Sequence, residues 1–129
     1  MRYLNAFEQV TKIRPKDCLV LETSLLFLVE KGTARIAIGR QGAGVKALNY
    51  ALKKNVKIIE WSDSVEGLVK SYLFPTRAQS VSLVSDEVEI AFKFAMQRRY
   101  LLSDRQARLR ELLTVLQYFF PTVREVKVL

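Results

Sequence analysis

The two halves of this chain carry the same succession of hydrophobic patterns, and that repetition restricts the fold more than any single motif. Tyr3, Leu4, Phe7, Val10 and Ile13 have the spacing of an amphipathic helix, and Pro15 follows where such a helix stops. The runs CLVLE (18–22) and LLFLVEKG (25–32) predict a β-hairpin turning near Thr23 and Ser24. TARIAI (33–38) leads into a glycine-rich loop, VKALNYALKK (45–54) places Val45, Leu48 and Leu52 on one helical stripe, and NVKIIEWS (55–62) predicts a strand. The second half repeats the order. Ser64 and Glu66 open a capped helix that Pro75 stops, and SVSLVS (80–85) and VEIAFKFAM (88–96) predict strands. Residues 98–120 supply a short helix, a break and a longer helix, and VREVKVL (123–129) a closing strand. At an offset of 64, Gly39 meets Ser103, Gly42 meets Gln106, Val45 meets Leu109, Lys46 meets Arg110 and Leu48 meets Leu112. The chain is therefore expected to be α/β (α+β), with helix, strand, strand, helix, helix, strand occurring twice, in domains 1–63 and 64–129. No linker rich in Gly, Pro or Ser separates them.

Composition narrows the chemistry. With 21 Lys and Arg against 13 Asp and Glu the net charge is +8, a bias toward an anionic partner with nucleic acid foremost. The single Cys18 rules out an internal disulfide, and a chain with no histidine lacks the usual zinc sets and His-based acid/base catalysis. No enzyme activity, cofactor, metal or small-molecule substrate is expected. No segment approaches the roughly 18 consecutive apolar residues of a membrane span, so a cytoplasmic protein without membrane association is expected. Cys18 and Trp61 are expected to be packing residues.

IAIGRQGAGVK (36–46) is the stretch with chemical content. A triphosphate-binding loop would place Lys and then Ser or Thr directly after the second glycine, but Val45 and Lys46 follow Gly44. Gly42, Gly44 and Ala47 spell G-x-G-x-x-A, with Glu60 near the distance of a ribose-binding acid. A dinucleotide turn, however, needs its first glycine directly after a strand, and the chain is short for two mononucleotide halves. Gly39, Arg40, Gln41 and Gly42 instead form G-x-x-G between two helices. Glycines there let a sugar-phosphate backbone approach, unpaired N–H groups open the second helix, and Arg40 and Lys46 add charge.

Ile38, Gly39, Gly42, Val45 and Lys46 closely resemble the I-G-x-x-G-x-x-[IV]-[KR] signature of KH domains, and the repeated order is that of the type II arrangement. Across essentially its whole length the chain resembles archaeal-type NusA proteins, which consist of two tandem KH domains; FLVEKG and VKIIEWSDSVEGLVKSYLFP carry that similarity. The resemblance implies a three-stranded mixed sheet in each domain and a groove holding about four nucleotides of single-stranded RNA. The residues it assigns to RNA are Arg35, Ile38, Gly39, Arg40, Gln41, Gly42, Val45, Lys46 and Ile59, with Ile36 and Ile58 as further apolar candidates for the groove.

In the second domain Ser103, Asp104, Arg105 and Gln106 replace G-x-x-G, and only a weaker contact through Arg98, Arg99, Arg105 and Arg108 is expected there. The resemblance implies a role in transcription elongation or termination on the nascent transcript, with RNA polymerase as a further partner. A protein-interaction adaptor is the alternative, and a small dinucleotide-binding protein a more distant one.

Overall fold

The computed structural model describes residues 2–129. The chain divides into two compact units, the first ending at Trp61 and the second running Ser62–Leu129. Among the described residues no helix is long and apolar enough to cross a membrane.

The first unit contains α1 (Arg2–Thr11), β1 (Asp17–Val20), β2 (Leu25–Val29), α2 (Ala34–Ile38), α3 (Ala43–Leu52) and β3 (Val56–Glu60). Lys12, at φ 63°, ends α1 in a left-handed step, and the Thr11 hydroxyl donates to the Phe7 carbonyl at 2.8 Å while accepting from the Ile13 N–H at 3.1 Å. Strand β2 is central. It pairs antiparallel with β1 from Asp17 opposite Leu28 to Val20 opposite Leu25, and parallel with β3 from Leu25 opposite Val56 to Val29 opposite Glu60. A parallel pair cannot be joined by a tight turn, so α2, the glycine loop and α3 form the crossover.

Side-chain alternation then sorts the strands. Leu25, Phe27, Val29, Val56 and Ile58 join Phe7, Ala37 and Leu48 in one core between the helices and the sheet, with the Phe7 and Phe27 ring centroids 4.4 Å apart. Leu26, Leu28 and Ile59, one residue out of phase, belong to the other face of the sheet and are buried as well.

The second unit contains α4 (Val65–Leu73), β4 (Ser80–Val84), β5 (Glu87–Ala91), α5 (Ala95–Phe119) and β6 (Glu125–Val128). Ser64 caps α4 as its position predicts, its Oγ accepting from the Gly67 N–H at 3.0 Å, and Glu66 pairs with Lys70 one turn on at 2.8 Å. Central β5 pairs antiparallel with β4 and parallel with β6. Val88 and Ile90 are buried, whereas Glu87, in the opposite phase, pairs with Lys127 at 3.1 Å.

One expectation needs shortening. The alternation Val88, Ile90, Phe92, Phe94 predicts a strand into residue 96, but β5 stops at Ala91, where its ladder with β4 ends at Ser80. Phe94 instead becomes the extended residue before α5, its N–H held by the Gln97 side chain at 3.1 Å. Helix α5 is broken at Ser103–Gln106 into two helices, so both units have the order helix, strand, strand, helix, helix, strand around a three-stranded mixed sheet, two tandem type II KH folds of the α+β class.

Candidate nucleic-acid interface

The first unit's loop is shaped by two glycines with different tasks. Gly39 leaves α2 at φ 80°, ψ 169°, and Gln41 and Gly42 follow in left-handed conformation at φ 55° and 77°. The Gly42 N–H closes the turn on the Gly39 carbonyl at 3.1 Å. A Cβ on Gly39 would stand 2.8 Å from the Gly44 nitrogen, while one on Gly42 would meet nothing within 4 Å. Gly39 is thus required by packing as well as by its backbone angle, and Gly42 by its angle alone. Helix α3 begins with no side-chain cap, leaving its first N–H groups without intrahelical partners at the positive end of the helix dipole.

Of the residues assigned to RNA from the sequence, Gly39, Arg40, Gln41 and Gly42 form this turn; Arg40 and Gln41 are exposed and the glycines half-buried. Arg35 and Lys46 are exposed on the flanking helices, and Ile38 and Val45 are half-buried against the core beside the loop. Ile36 is 66% exposed, an apolar side chain that the core does not use. Ile59 is separated from the others. The pleat assigns Ile58 to the helical face of the sheet and Ile59 to the opposite face, where it is fully buried and cannot border a groove beside the loop.

The second unit has a turn here without glycines, left-handed like the first at its third and fourth positions but of opposite φ sign at its first two. Ser103 is extended at φ −76°, ψ 173°, and Asp104, Arg105 and Gln106 are all left-handed at φ 54°, 57° and 63°. Side chains hold this costly backbone. Arg108 donates to Ser103 Oγ at 2.8 Å and to the Tyr100 carbonyl, lies 3.3 Å from the Asp104 carboxylate, and stacks on the Tyr100 ring at 4.9 Å. Arg110 donates to the Arg105 carbonyl. Beneath them the buried Tyr72 hydroxyl donates to Glu111 Oε1 at 2.9 Å. Of the arginines proposed for a weaker contact, Arg108 is therefore committed to the loop itself. Arg98 is half-buried with its Nε unpartnered, and Arg99 and Arg105 are exposed.

Two positioning residues escaped the sequence reading. Gly44 looked like part of a dinucleotide fingerprint, but a Cβ there would lie 2.1 Å from the Ala37 carbonyl oxygen, so this glycine lets α3 press against α2. Glu60, which looked like a ribose-binding acid, accepts from the Ala34 N–H at 3.1 Å and so fixes the start of α2. The glycine loop follows a helix, not a strand, so the dinucleotide turn is not formed. A glycine two residues past a G-x-x-G, between two helical patterns, was the available signal for the close crossing.

No family model matches the chain. The chain is 32% identical over 92 residues to the probable transcription termination protein NusA of Halococcus morrhuae, a match covering 71% of this chain and 66% of the relative. The proteins of the same name from Halobacterium salinarum (strain ATCC 29341 / DSM 671 / R1) and Methanocaldococcus jannaschii are each 29% identical, over 67% and 58% of this chain and 62% and 41% of their own lengths. The chain thus spans slightly less than two thirds of the haloarchaeal relatives and under half of the methanogen protein. The crystal structure of APE1850 superposes with a TM-score of 0.79 at 28% identity, covering 99% of this chain and 96% of that one. Sequence similarity to three archaeal NusA proteins and a duplicated KH architecture agree, and both support an archaeal-type NusA-like KH protein.

Proposed function

We propose that the chain binds single-stranded RNA without catalysing a reaction, and that it acts in transcription elongation or termination on the nascent transcript, with RNA polymerase as a further partner. Residues 1–63 are the RNA-binding KH domain and residues 64–129 the second. The observation that carries this reading is the turn Gly39–Gly42. It exposes Arg40 and Gln41 above an uncapped helix start, offering backbone N–H groups and positive charge with no nucleophile beside them. Ile36, Ile38 and Val45 supply an apolar floor for bases, and Arg35 and Lys46 flank it. The names of the haloarchaeal and methanogen relatives support the transcription context. The second loop contributes little, because Arg108 is spent on holding its own turn.

Fluorescence anisotropy of a mixed single-stranded RNA pool tests this, comparing the native chain with the double variant Arg40→Asp, Gln41→Asp at two salt concentrations, with circular dichroism as the check on folding. Salt-sensitive binding that the variant loses is the expected result. Equal binding by both proteins would exclude the first loop, and no binding by either would leave the protein-adaptor reading.

A further inference from the structure

The chain's charge is concentrated more tightly than its total suggests. From Lys31 to Ile59 there are seven cationic side chains, Lys31, Arg35, Arg40, Lys46, Lys53, Lys54 and Lys57, and no acidic one. That is seven of the eight net positive charges of the whole protein, on the segment that contains the glycine loop and α3. Helix α3 carries Leu48 into the core, and Tyr50 stands about 160° around the helix from it. Tyr50 is 87% exposed, the most exposed of the large apolar or aromatic side chains among the described residues. Lys46 lies one turn before it, and Lys53 and Lys54 follow directly on the end of the helix, all exposed, while the exposed Ala43, Ala47 and Ala51 share the outer face with Tyr50. None of the ion pairs or side-chain hydrogen bonds found among the described residues engages Lys46, Lys53 or Lys54.

A bare aromatic ring on a flat alanine surface between unpaired cations matches the chemistry of single-strand binding, where rings stack on bases and cations follow the phosphates. Its position suits a strand leaving the loop. Tyr50 is eight residues beyond Gly42, about 12 Å along the helix, or about four nucleotides at a stacked spacing near 3.4 Å. We propose that RNA gripped by Gly39–Gly42 continues along the outer face of α3, with one base stacked on Tyr50 and its phosphates met by Lys46, Lys53 and Lys54. This extension rests on the RNA-binding reading of the loop. Glu22, which shares a shallow hollow with Lys53 and Lys54, marks where the acid-free surface ends.

The test is anisotropy with random-sequence RNA of 6 and 14 nucleotides, using the native chain, Tyr50→Ala, Tyr50→Phe, the double variant Lys53→Gln, Lys54→Gln, and the loop variant Arg40→Asp, Gln41→Asp. Tyr50→Ala is expected to weaken binding of the 14-mer by about five- to a hundredfold, to leave the 6-mer within about twofold, and to be rescued by Tyr50→Phe. The lysine variant is expected to reduce the salt slope for the 14-mer by about 1.4, from about 0.7 per phosphate. Unchanged 14-mer binding by Tyr50→Ala, when the loop variant has lost it, overturns the extension alone and leaves the α3 face to a protein partner. If the loop variant also binds normally, or no protein binds RNA, the reading of the loop fails and the extension with it.

Discussion

A Cβ built on Gly44 would stand 2.1 Å from the carbonyl oxygen of Ala37, closer than any two such atoms can approach. The contact holds α3 against α2, and the G-x-x-G turn is the link that spans this crossing. Gly44→Ala is therefore expected to force the helices apart and to cost about 1–3 kcal/mol. Gly42→Ala, where the new methyl has open space and only the left-handed backbone objects, is expected to cost about 1 kcal/mol. Urea denaturation of both variants checks the order.

At the offset of 64, Gly44 corresponds to Arg108, whose guanidinium braces the second unit's turn through Ser103 and the Tyr100 carbonyl. Arg108→Ala is expected to destabilise the chain by about 1–3 kcal/mol, because the Tyr100 carbonyl and Ser103 lose their donor and the loop its brace. RNA affinity should change by less than about twofold. A large loss of RNA binding with stability intact would show instead that Arg108 faces the ligand.

The left-handed residues of that second loop have no glycine among them. Gln106→Gly, at φ 63°, is expected to stabilise the chain by about 0.5–1 kcal/mol, the relief of Cβ crowding exceeding the extra freedom that glycine gives the unfolded chain. A thermal or urea midpoint shift upward is the readout.

Burial, followed by the neighbouring Glu111 carboxylate, raises the Tyr72 hydroxyl well above its ordinary value of 10. Because the folded state keeps this proton more tightly than the unfolded state, the associated stability is fully present below pH 10 and declines as pH rises beyond it. Tyr72→Phe should cost about 1–3 kcal/mol at neutral pH by leaving Glu111 without that donor. It should also flatten the loss of stability above pH 10.

Cys18 is half-buried on β1, and desolvation, aided by Asp17, pushes its thiol up to about 11. The thiolate is the reactive form, so alkylation at pH 8 should run roughly a hundredfold slower than for an unfolded cysteine. Its rate should still be rising between pH 9 and pH 11. A rate equal to that of the urea-unfolded chain would contradict the half-buried setting of Cys18.

The sequence exposed the element order because each element announces itself locally: Pro15 and Pro75 after amphipathic runs, Ser64 before one, and Gly39 with Gly42 between two. What was not legible depended on partners distant in the chain. Ile58 and Ile59 are chemically equivalent, and only the register of β3 against β2 decides which faces the helices. Phe92 and Phe94 continue an alternating pattern, but the strand ends when its neighbour does. Arg108 reads as a cation for RNA because its ring, hydroxyl and carbonyl partners lie five to eight residues away across a break in the helix. Glu60, matched to Ala34 across 26 residues, gave no local sign of capping α2.

The two loops share left-handed backbone at their third and fourth positions, Gln41 and Gly42 in one and Arg105 and Gln106 in the other, although neither position carries the same residue in both. The handedness therefore belongs to the way two helices cross over a three-stranded sheet, and glycine lowers its cost without creating it. The second turn preserves that handedness in its last two positions with other letters. Gln106 already holds the left-handed angle that Gly42 holds, so a glycine placed there fits the second unit without rebuilding its scaffold.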